Sequence, residues 1–526
     1  MFPLSLVAVP IVALYLVYKY LVFPIFLSPL SKLPNAHFSS SFSALWILLK
    51  RRYEEENRAI YAAHVKHGDI VRLGPNEVSV ACVDEGIRTV YSGGFEKWNW
   101  YPNQFENYGV PNMFSMVNSK PHSIRKRMIS HVYSKSYLQS SPEVHAISKI
   151  IIFDRLLPVL EEAAANKQPI DVLELNFSST MDFIIAFIFG LQNGTNFIQD
   201  ISAREEWLSI YQSRRPFRFW AGELPGVISF FKKLGIHITP AWMNEASKWL
   251  EDWTMEKCKA AAASLSNSKD PSSHTKESSD SLPTTTTPPI VYIQLLTSLK
   301  SPSPSPYPLD LSIATELHDH LAAGHETSGI TLTYLFHELS LHPEIQSQLR
   351  NELRTQAPSL RLDSETHDVP APRTIDALPI LHACLMETLR IHAAIPGPQP
   401  RITPPTPTSL AGSPPLTGGV RVSAQAFTLH RNADVFPEPE KWKPERWLGT
   451  CEEKKAEMGR WFWAFGSGGR MCVGSHFAMQ EMKLITAAIY TSFTTHIVDD
   501  GGIEHIDAYT AGPKSNRLLL RFERVE

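Results

Sequence analysis

Trp461-Phe-Trp-Ala-Phe465-Gly466-Ser-Gly468-Gly469-Arg470-Met-Cys472-Val-Gly474-Ser-His-Phe-Ala-Met-Gln-Glu-Met482 sets four glycines around one cysteine, with an arginine two residues before it and a helix-forming run from about Val473. Glycines let a backbone turn sharply and approach a flat group closely. N–H groups of such a loop, and of the N-terminus of the helix behind it, stabilise negative charge on sulfur. The pattern suits a buried thiolate ligand, although a cysteine in a glycine-rich turn can equally be a plain core residue. The other cysteines, Cys82, Cys258, Cys384 and Cys451, are too scattered for a disulfide scaffold or a CxxC zinc site. With Cys472 the total is five, and an odd number of spread thiols fits a reducing compartment.

Upstream of that loop lies the longest helical pattern, DLSIATELHDHLAAGHETSGITLTYLFHELSLHP, with Asp310 or Ser312 as candidate cap and Pro343 as its end. About 30 residues of helix span roughly 45 Å, enough to cross a whole domain. Gly324 interrupts it in mid-course, where glycine costs about 1 kcal/mol relative to alanine, so something must use the missing side chain. Before it, SLSNSKDPSSHTKESSDSLPTTTTPP (264–289) has no apolar periodicity and reads as a disordered surface insertion. IVYIQLLTSL suggests a short docked helix, and HGDIVRLGPNEVSVACVD a β-hairpin.

At the other end, Phe2 to Leu27 is apolar but for Lys19, long enough as helix to cross a ~30 Å hydrocarbon core. A cleaved signal peptide would need a shorter apolar region and a small-residue cleavage site. The reading is therefore a transmembrane anchor over 1–28, and no other stretch of comparable length is apolar. Lys19, Lys32, Lys50, Arg51 and Arg52 lie within or after this segment and no basic residue precedes it, which places the body in the cytosol. The Asn176 and Asn193 sequons should then stay unmodified. Pro24, Pro29 and Pro34 predict an extended tether over 29–38, leaving 39–526 as the folded body. The 526 residues carry 50 Lys plus Arg against 53 Asp plus Glu, a formal charge of −3. That balance argues against nucleic-acid binding by bulk electrostatics. Hydrophobic residues at 43% indicate a globular chain rather than a disordered one.

Phe465-x-x-Gly468-x-Arg470-x-Cys472-x-Gly474 is similar to the haem-ligand signature of the cytochrome P450 family, and the chain resembles the membrane-anchored, fungal-type members of that family along nearly its whole length. Ala323-Gly324-His325-Glu326-Thr327-Ser328 looks like the oxygen-activation stretch of the central helix. Glu387-Thr388-Leu389-Arg390 looks like the E-x-x-R motif. Phe436-Pro437-Glu438-Pro439 with Lys443-Pro444-Glu445-Arg446-Trp447 looks like the meander. Four motifs in the family's order leave little room for accident.

The resemblance implies a mainly α fold with small β-sheets, the cytochrome P450 fold, as one large haem domain behind the anchor. It implies haem b with Cys472 as iron ligand, Phe465 and Gly466 close to the sulfur, and Arg470 on a propionate. His122 with Arg125 or Lys126 replaces the usual Trp/His-x-x-x-Arg pair, and Arg401 is a weaker propionate candidate. Ala323 and Gly324 would let haem or dioxygen come close, Thr327 would hydrogen-bond dioxygen, and Glu326 would relay protons. Glu387, Arg390 and Arg446 would form a buried structural network. A medium-sized lipophilic substrate, such as a terpenoid or polyketide, is expected between the aromatic loop WNWYPNQFENYGVPNMFSM, Ala323, Ala393-Ala394-Ile395 and Ala508-Tyr509-Thr510-Ala511. No flavin or nicotinamide motif is present, so electrons would come from an NADPH-dependent flavoprotein reductase at the endoplasmic reticulum membrane. Lys126, Arg127, Lys135, Lys441, Lys443 and Arg460 are its candidate docking patch. The expected activity is a monooxygenase. The alternatives are a reductase-independent isomerase or dehydratase acting on a peroxide, and a non-catalytic haem sensor.

Overall fold

A computed structural model of the chain describes residues 4–267, 286–300, 306–364 and 366–525. Helices dominate, and two small sheets complete the body. The larger sheet orders its strands Ile70–Gly74, Glu77–Val80, Arg421–Ser423, Arg401–Ile402 and Glu96–Lys97. Its first two strands are the expected hairpin, antiparallel with Ile70 opposite Val80. The smaller sheet places Leu519–Arg524 between Ile170–Asp171 and Phe493–Asp499. The short helix Ile290–Leu299 is docked against the main core. Most of the insertion 264–289 lies outside the described residues. Its first residues continue the helix Ala241–Asn267, and Thr287 is buried with its hydroxyl accepting from Leu191 N–H (3.0 Å).

The central helix runs Leu309–Leu341 and is buried along almost its whole length. Pro308 is its N-cap; Asp310 sits in the first turn and Ser312 is buried, so neither caps the helix as the sequence suggested. Helix Val172–Phe189 packs along it, and here the mid-helix glycine finds its reason. A Cβ at Gly324 would stand 2.8 Å from Ile184 Cγ1, and one at Gly329 would collide with Phe177. Thr180 Oγ1 donates to the His325 carbonyl across the same seam (2.8 Å). Val172–Phe189 is itself long and apolar enough to span a membrane, contrary to the expectation of one such stretch, but 94% of it is buried and its apolarity belongs to the core. Asn176 is buried on it, donating to Thr333 Oγ1 (3.1 Å), which leaves no room for a glycan.

The N-terminal apolar helix, Leu4–Val17, continues to Leu27 in wider turns and from Val9 onward stands exposed apart from Pro24 and the half-buried Ile25. The chain beyond Leu27 is not the extended tether that three prolines predicted. Pro29–Lys32 makes a 3-10 turn, and Leu30 and Leu33 are 2% and 6% exposed in the core of the larger sheet. Arg72, wholly buried, donates to the Pro24 carbonyl (2.9 Å) and to the Ser41 carbonyl (3.1 Å). Prolines shape this segment, but two leucines at the right spacing dock it. Each buried leucine contributes about 1.5–3 kcal/mol. A chain beginning at Phe23 should therefore melt like the full-length protein, whereas one beginning at Pro34 should melt several degrees lower. Thermal unfolding of the two truncations measures this, and equal midpoints would contradict the docking.

Candidate functional site

The cysteine loop takes its shape from two glycines in the left-handed region, Gly466 (φ 67°) and Gly468 (φ 68°). A side chain at Gly468 would also run into the Tyr91 carbonyl. Cys472 N–H donates to the Phe465 carbonyl (3.0 Å), closing the loop, and helix Ser475–Ser492 starts directly behind it. The Cys472 side chain is exposed. Yet burial pushes its thiol pKa up, against the Gly474 N–H and Lys126, which favour the thiolate. A group that is open but deep in protein faces an internal space rather than the outer surface. Phe465 is partly buried beside it.

A cationic rim bounds this space. Arg470 donates to the carbonyls of Met116 (2.8 Å) and Val117 (2.7 Å), just ahead of helix Ser119–Ile129, and lies 3.4 Å from Glu96. His122, Lys126, Lys97 and Arg401 gather around it. Their proximity is written in their acidities. Burial, then Arg470 and Lys97, hold His122 down to about 3, and burial with Arg401 lowers Arg470 to about 10. Lys97, driven well below its ordinary value by burial, Arg401 and Arg470, donates to the Phe114 carbonyl and lies 4.1 Å from the ring centroids of Tyr101 and Phe114. Arg401 Nε is buried without a partner. Among the described residues Glu96 is the only acid hydrogen-bonded to this rim. An open thiol with N–H donors and an undercompensated cationic rim fit a metal-bearing group that carries carboxylates, as haem does. Lys97 was missed in the sequence because nothing in its spacing distinguishes it; only the strand Glu96–Lys97 brings it here.

The structure separates the two helix candidates. Lys126 Nζ donates to the carbonyls of Gly469 (3.1 Å) and Met471 (2.8 Å), while Arg125 turns to the central helix, 3.3 Å from Glu316 and 3.2 Å from the Ser312 carbonyl. Arg125 and Lys126 stand three and four residues after His122, so helix spacing admits either, and their contacts separate them.

On the central helix Ala323 is exposed and Thr327 partly so, although His325, Glu326 and Ser328 are buried. Thr327 Oγ1 donates back to the Ala323 carbonyl (2.8 Å), which commits its proton and leaves its oxygen as an acceptor. Gly324 faces Ile184 instead of this space, so its missing side chain serves helix packing and not the approach of haem or dioxygen. Glu326 is paired with Arg215 and accepts from Tyr211 Oη (2.8 Å). Burial opposes its charge, but Arg215 and Arg218 outweigh it, and the pKa falls to about 2. Both carboxylate oxygens are engaged, one by Arg215 and one by Tyr211. The aromatic loop and the C-terminal turn, which the resemblance set around one pocket, meet: Trp100 and Tyr509 ring centroids are 4.9 Å apart, and Ala511 N–H donates to the Ala394 carbonyl (2.9 Å).

Beneath the loop sits Glu387, fully buried with Arg390. Its carboxylate accepts from Arg390 (2.7 and 2.9 Å), Arg446 Nε (2.8 Å), Trp447 Nε1 (2.9 Å) and Lys443 N–H (3.0 Å). Arg390 also donates to the carbonyls of His430 (3.0 Å), Pro439 (2.7 Å) and Lys441 (3.1 Å). His430 Nδ1 donates to the Arg390 carbonyl (2.7 Å) and its Nε2 accepts from Trp463 N–H (2.7 Å), so one imidazole links this network to the cysteine loop. Burial lowers the His430 pKa to about 3, which keeps Nε2 free to accept.

The expected docking patch is largely neutralised. Lys135 pairs with Asp376 (2.5 Å), Lys441 and Lys443 with Glu438, and Arg460 with Asp84 (2.7 Å) and Glu457 (2.8 Å). Arg127 is the one member with neither ion pair nor hydrogen bond among the described residues. Asp376 and Asp84, remote in sequence, and Glu438 and Glu457, a turn or so away, cancel these charges.

Comparison with known proteins adds a separate line. The profile of the family described as cytochrome P450 matches residues 37–520. The cytochrome P450 monooxygenase avaI of Aspergillus versicolor is 31% identical over 435 residues, covering 80% of this chain and 94% of the relative. The cytochrome P450 monooxygenase orf2 of Aspergillus niger is 25% identical over 513 residues, 94% of this chain and 93% of the relative. The cytochrome P450 monooxygenase FGM1 of Gibberella zeae is 25% identical over 496 residues, 92% and 90% respectively.

Glu387→Gln should leave the Arg390 guanidinium buried without its counter-ion, at a cost of about 3–5 kcal/mol, and lower the yield of protein with an ordered cysteine loop. Arg390 and Arg446, working against burial, hold the Glu387 pKa below the ordinary carboxylate value. Its stabilisation is therefore complete above the unfolded pKa of about 4.3 and is lost only as pH falls through the lower folded value. The stability gap between wild type and variant, measured by denaturant unfolding, should stay constant from pH 8 to 5 and shrink in stronger acid. A gap that shrinks between pH 8 and 6 would assign the effect to another group.

Proposed function

Because the chain belongs to the cytochrome P450 family and is a monooxygenase, we propose that it oxidises a lipophilic small molecule of secondary metabolism, such as a terpenoid or polyketide, with O2 and electrons from a separate NADPH-dependent flavoprotein reductase. The observation that carries the reading is the Cys472 thiol, open to an internal space with a cationic rim and with Ala323 and Thr327 open on the central helix. Haem bound through a thiolate supplies activation of dioxygen and delivery of one oxygen atom.

In this reading Cys472 ligates the iron, with the Gly474 N–H tempering charge on sulfur. Phe465 and the Gly466 turn keep water from that sulfur. Arg470, His122, Lys126, Lys97 and Arg401 hold the haem carboxylates, which relieve the crowding of positive charge. Arg125 supports the central helix through Glu316. Thr327 Oγ1, its own proton committed to Ala323, would offer a hydrogen-bond acceptor to the space where dioxygen is activated. Glu326 fixes the helix Ile201–Ser213 and the turn after it to the central helix as a permanent anion. The aromatic loop and Tyr509 exclude water from the substrate. The N-terminal helix anchors the enzyme in the endoplasmic reticulum membrane with the body in the cytosol, where a lipophilic substrate partitions. No dinucleotide-binding motif is present in the sequence, which supports an external electron donor.

The test is the absorption spectrum of the reduced carbonyl complex. A thiolate spectrum in wild type that is lost in Cys472→Ser is expected; a histidine-type spectrum unchanged in Cys472→Ser would overturn the assignment. Thr327→Ala should keep the thiolate spectrum while product per NADPH consumed falls and hydrogen peroxide rises. The hydroxyl contributes one hydrogen bond, worth about 0.5–1.5 kcal/mol, and water can substitute in part, so a fall in coupling of no more than about tenfold is expected. Coupling equal to wild type would reduce Thr327 to a helix residue.

A further inference from the structure

A second hollow lies beside helix Ser475–Ser492, walled by helices Lys135–Ser140, Pro142–Lys149 and Pro372–Asp376 and by the start of Pro379–Ile391. Neither the cysteine loop nor the central helix lines it. Its volume is about 210 Å³. A cavity of about 150 Å³ takes a benzene ring, so this one suits a single ring with a substituent. Val369, Pro370, Ile375, Met479 and Leu484 give it apolar walls.

The charges at this hollow do not balance. Asp376 is the one acid among the described residues that line it, and it lies between two ammonium groups, Lys135 (2.5 Å) and Lys483 (2.8 Å). Burial opposes the Asp376 charge, but Lys135 and Lys483 hold its pKa down to about 2, so one full negative charge faces two positive ones. Glu352, the next acid felt by Lys483, already accepts from the N–H groups of Ile380 (2.8 Å) and Leu381 (2.9 Å). Asp368 is taken by His145 (2.8 Å).

Hydrogen-bond donors are left over as well. Ser148 is 5% exposed, and among the described residues nothing bonds its hydroxyl. The same holds for the Gln139 amide and the His382 ring. Burial, then Lys483, lowers the His382 pKa to about 4, so its imidazole is neutral and keeps one N–H. A surplus ammonium charge and unbonded donors set in apolar walls match an anion with two acceptor oxygens on an apolar body. A phosphate would answer the charge and leave the walls uncovered, whereas a carboxylate on a ring answers both.

We propose that this hollow is a binding site for a small aromatic carboxylic acid, separate from the haem space, in which Lys135, Lys483 and Ser148 hold the carboxylate. It rests on no part of the oxidation chemistry. Because Lys483 and Leu484 belong to the helix that begins behind Cys472, the bound acid ties that helix to Lys135–Ser140 and Pro142–Lys149.

The test is equilibrium dialysis of the full-length enzyme with benzoate, its neutral isostere benzamide, and inorganic phosphate. Wild type should bind benzoate about tenfold or more tightly than benzamide, with phosphate a poor competitor. Lys135→Met leaves Asp376 and Lys483 as a matched pair and should cut that preference to about twofold or less, while Lys135→Arg should keep it. Ser148→Ala should weaken benzoate about fivefold. Far-ultraviolet circular dichroism checks that each variant is folded. Lys135 and Ser148 line this hollow and not the haem space, so benzoate held in the haem space would bind all four proteins alike. That result overturns the site, as does the absence of a benzoate preference in wild type, or phosphate that displaces benzoate at equal concentration.

Discussion

The Glu387 carboxylate is the interaction on which the site hangs. A charge with no exposure is tolerable only when its donors are numerous and well placed, and five hydrogen bonds from four residues converge on it. Those donors come from its own helix and from the irregular chain between Pro437 and Trp447, which has little regular structure to hold it. The carboxylate supplies that order. Through Arg390 and then His430 the same order reaches Trp463 N–H and so the base of the cysteine loop. A cysteine ligand needs a fixed loop, and the bond from Trp463 N–H to the buried His430 anchors the base of a loop that Gly466 and Gly468 shape.

A second constraint acts from the other side. The central helix can approach Val172–Phe189 closely because Gly324 and Gly329 present no side chain to Ile184 and Phe177. That seam turns the stripe of Ala323 and Thr327 toward the internal space. Glu326, one position from Thr327, is locked to Arg215 and Tyr211, which ties the helix orientation to the segment after Ile201–Ser213.

Local chemistry was legible in the chain itself. The cysteine loop, the hairpin at Ile70–Val80, the docked helix Ile290–Leu299 and the termination of the central helix before Pro343 all follow from residues close together in sequence. Turns, strand alternation and helix ends are set by backbone preferences over a few residues, so a sequence determines them directly. The E-x-x-R spacing likewise put Glu387 and Arg390 on one helix face before any tertiary contact was considered. Partnership over long distances was not legible. Lys97 joins the cationic rim through a two-residue strand, Arg125 turns away from its neighbour Lys126 toward Glu316, Gly324 serves Ile184, and Lys135 and Arg460 of the proposed docking patch meet Asp376 and Asp84 from remote segments. The proline-rich segment after the anchor docks because a pocket in the sheet core accepts Leu30 and Leu33. The sequence by itself determined which groups could carry the chemistry. Tertiary structure decided which of them are charged, paired or open, because burial and the charges brought near each group are sums over the whole fold.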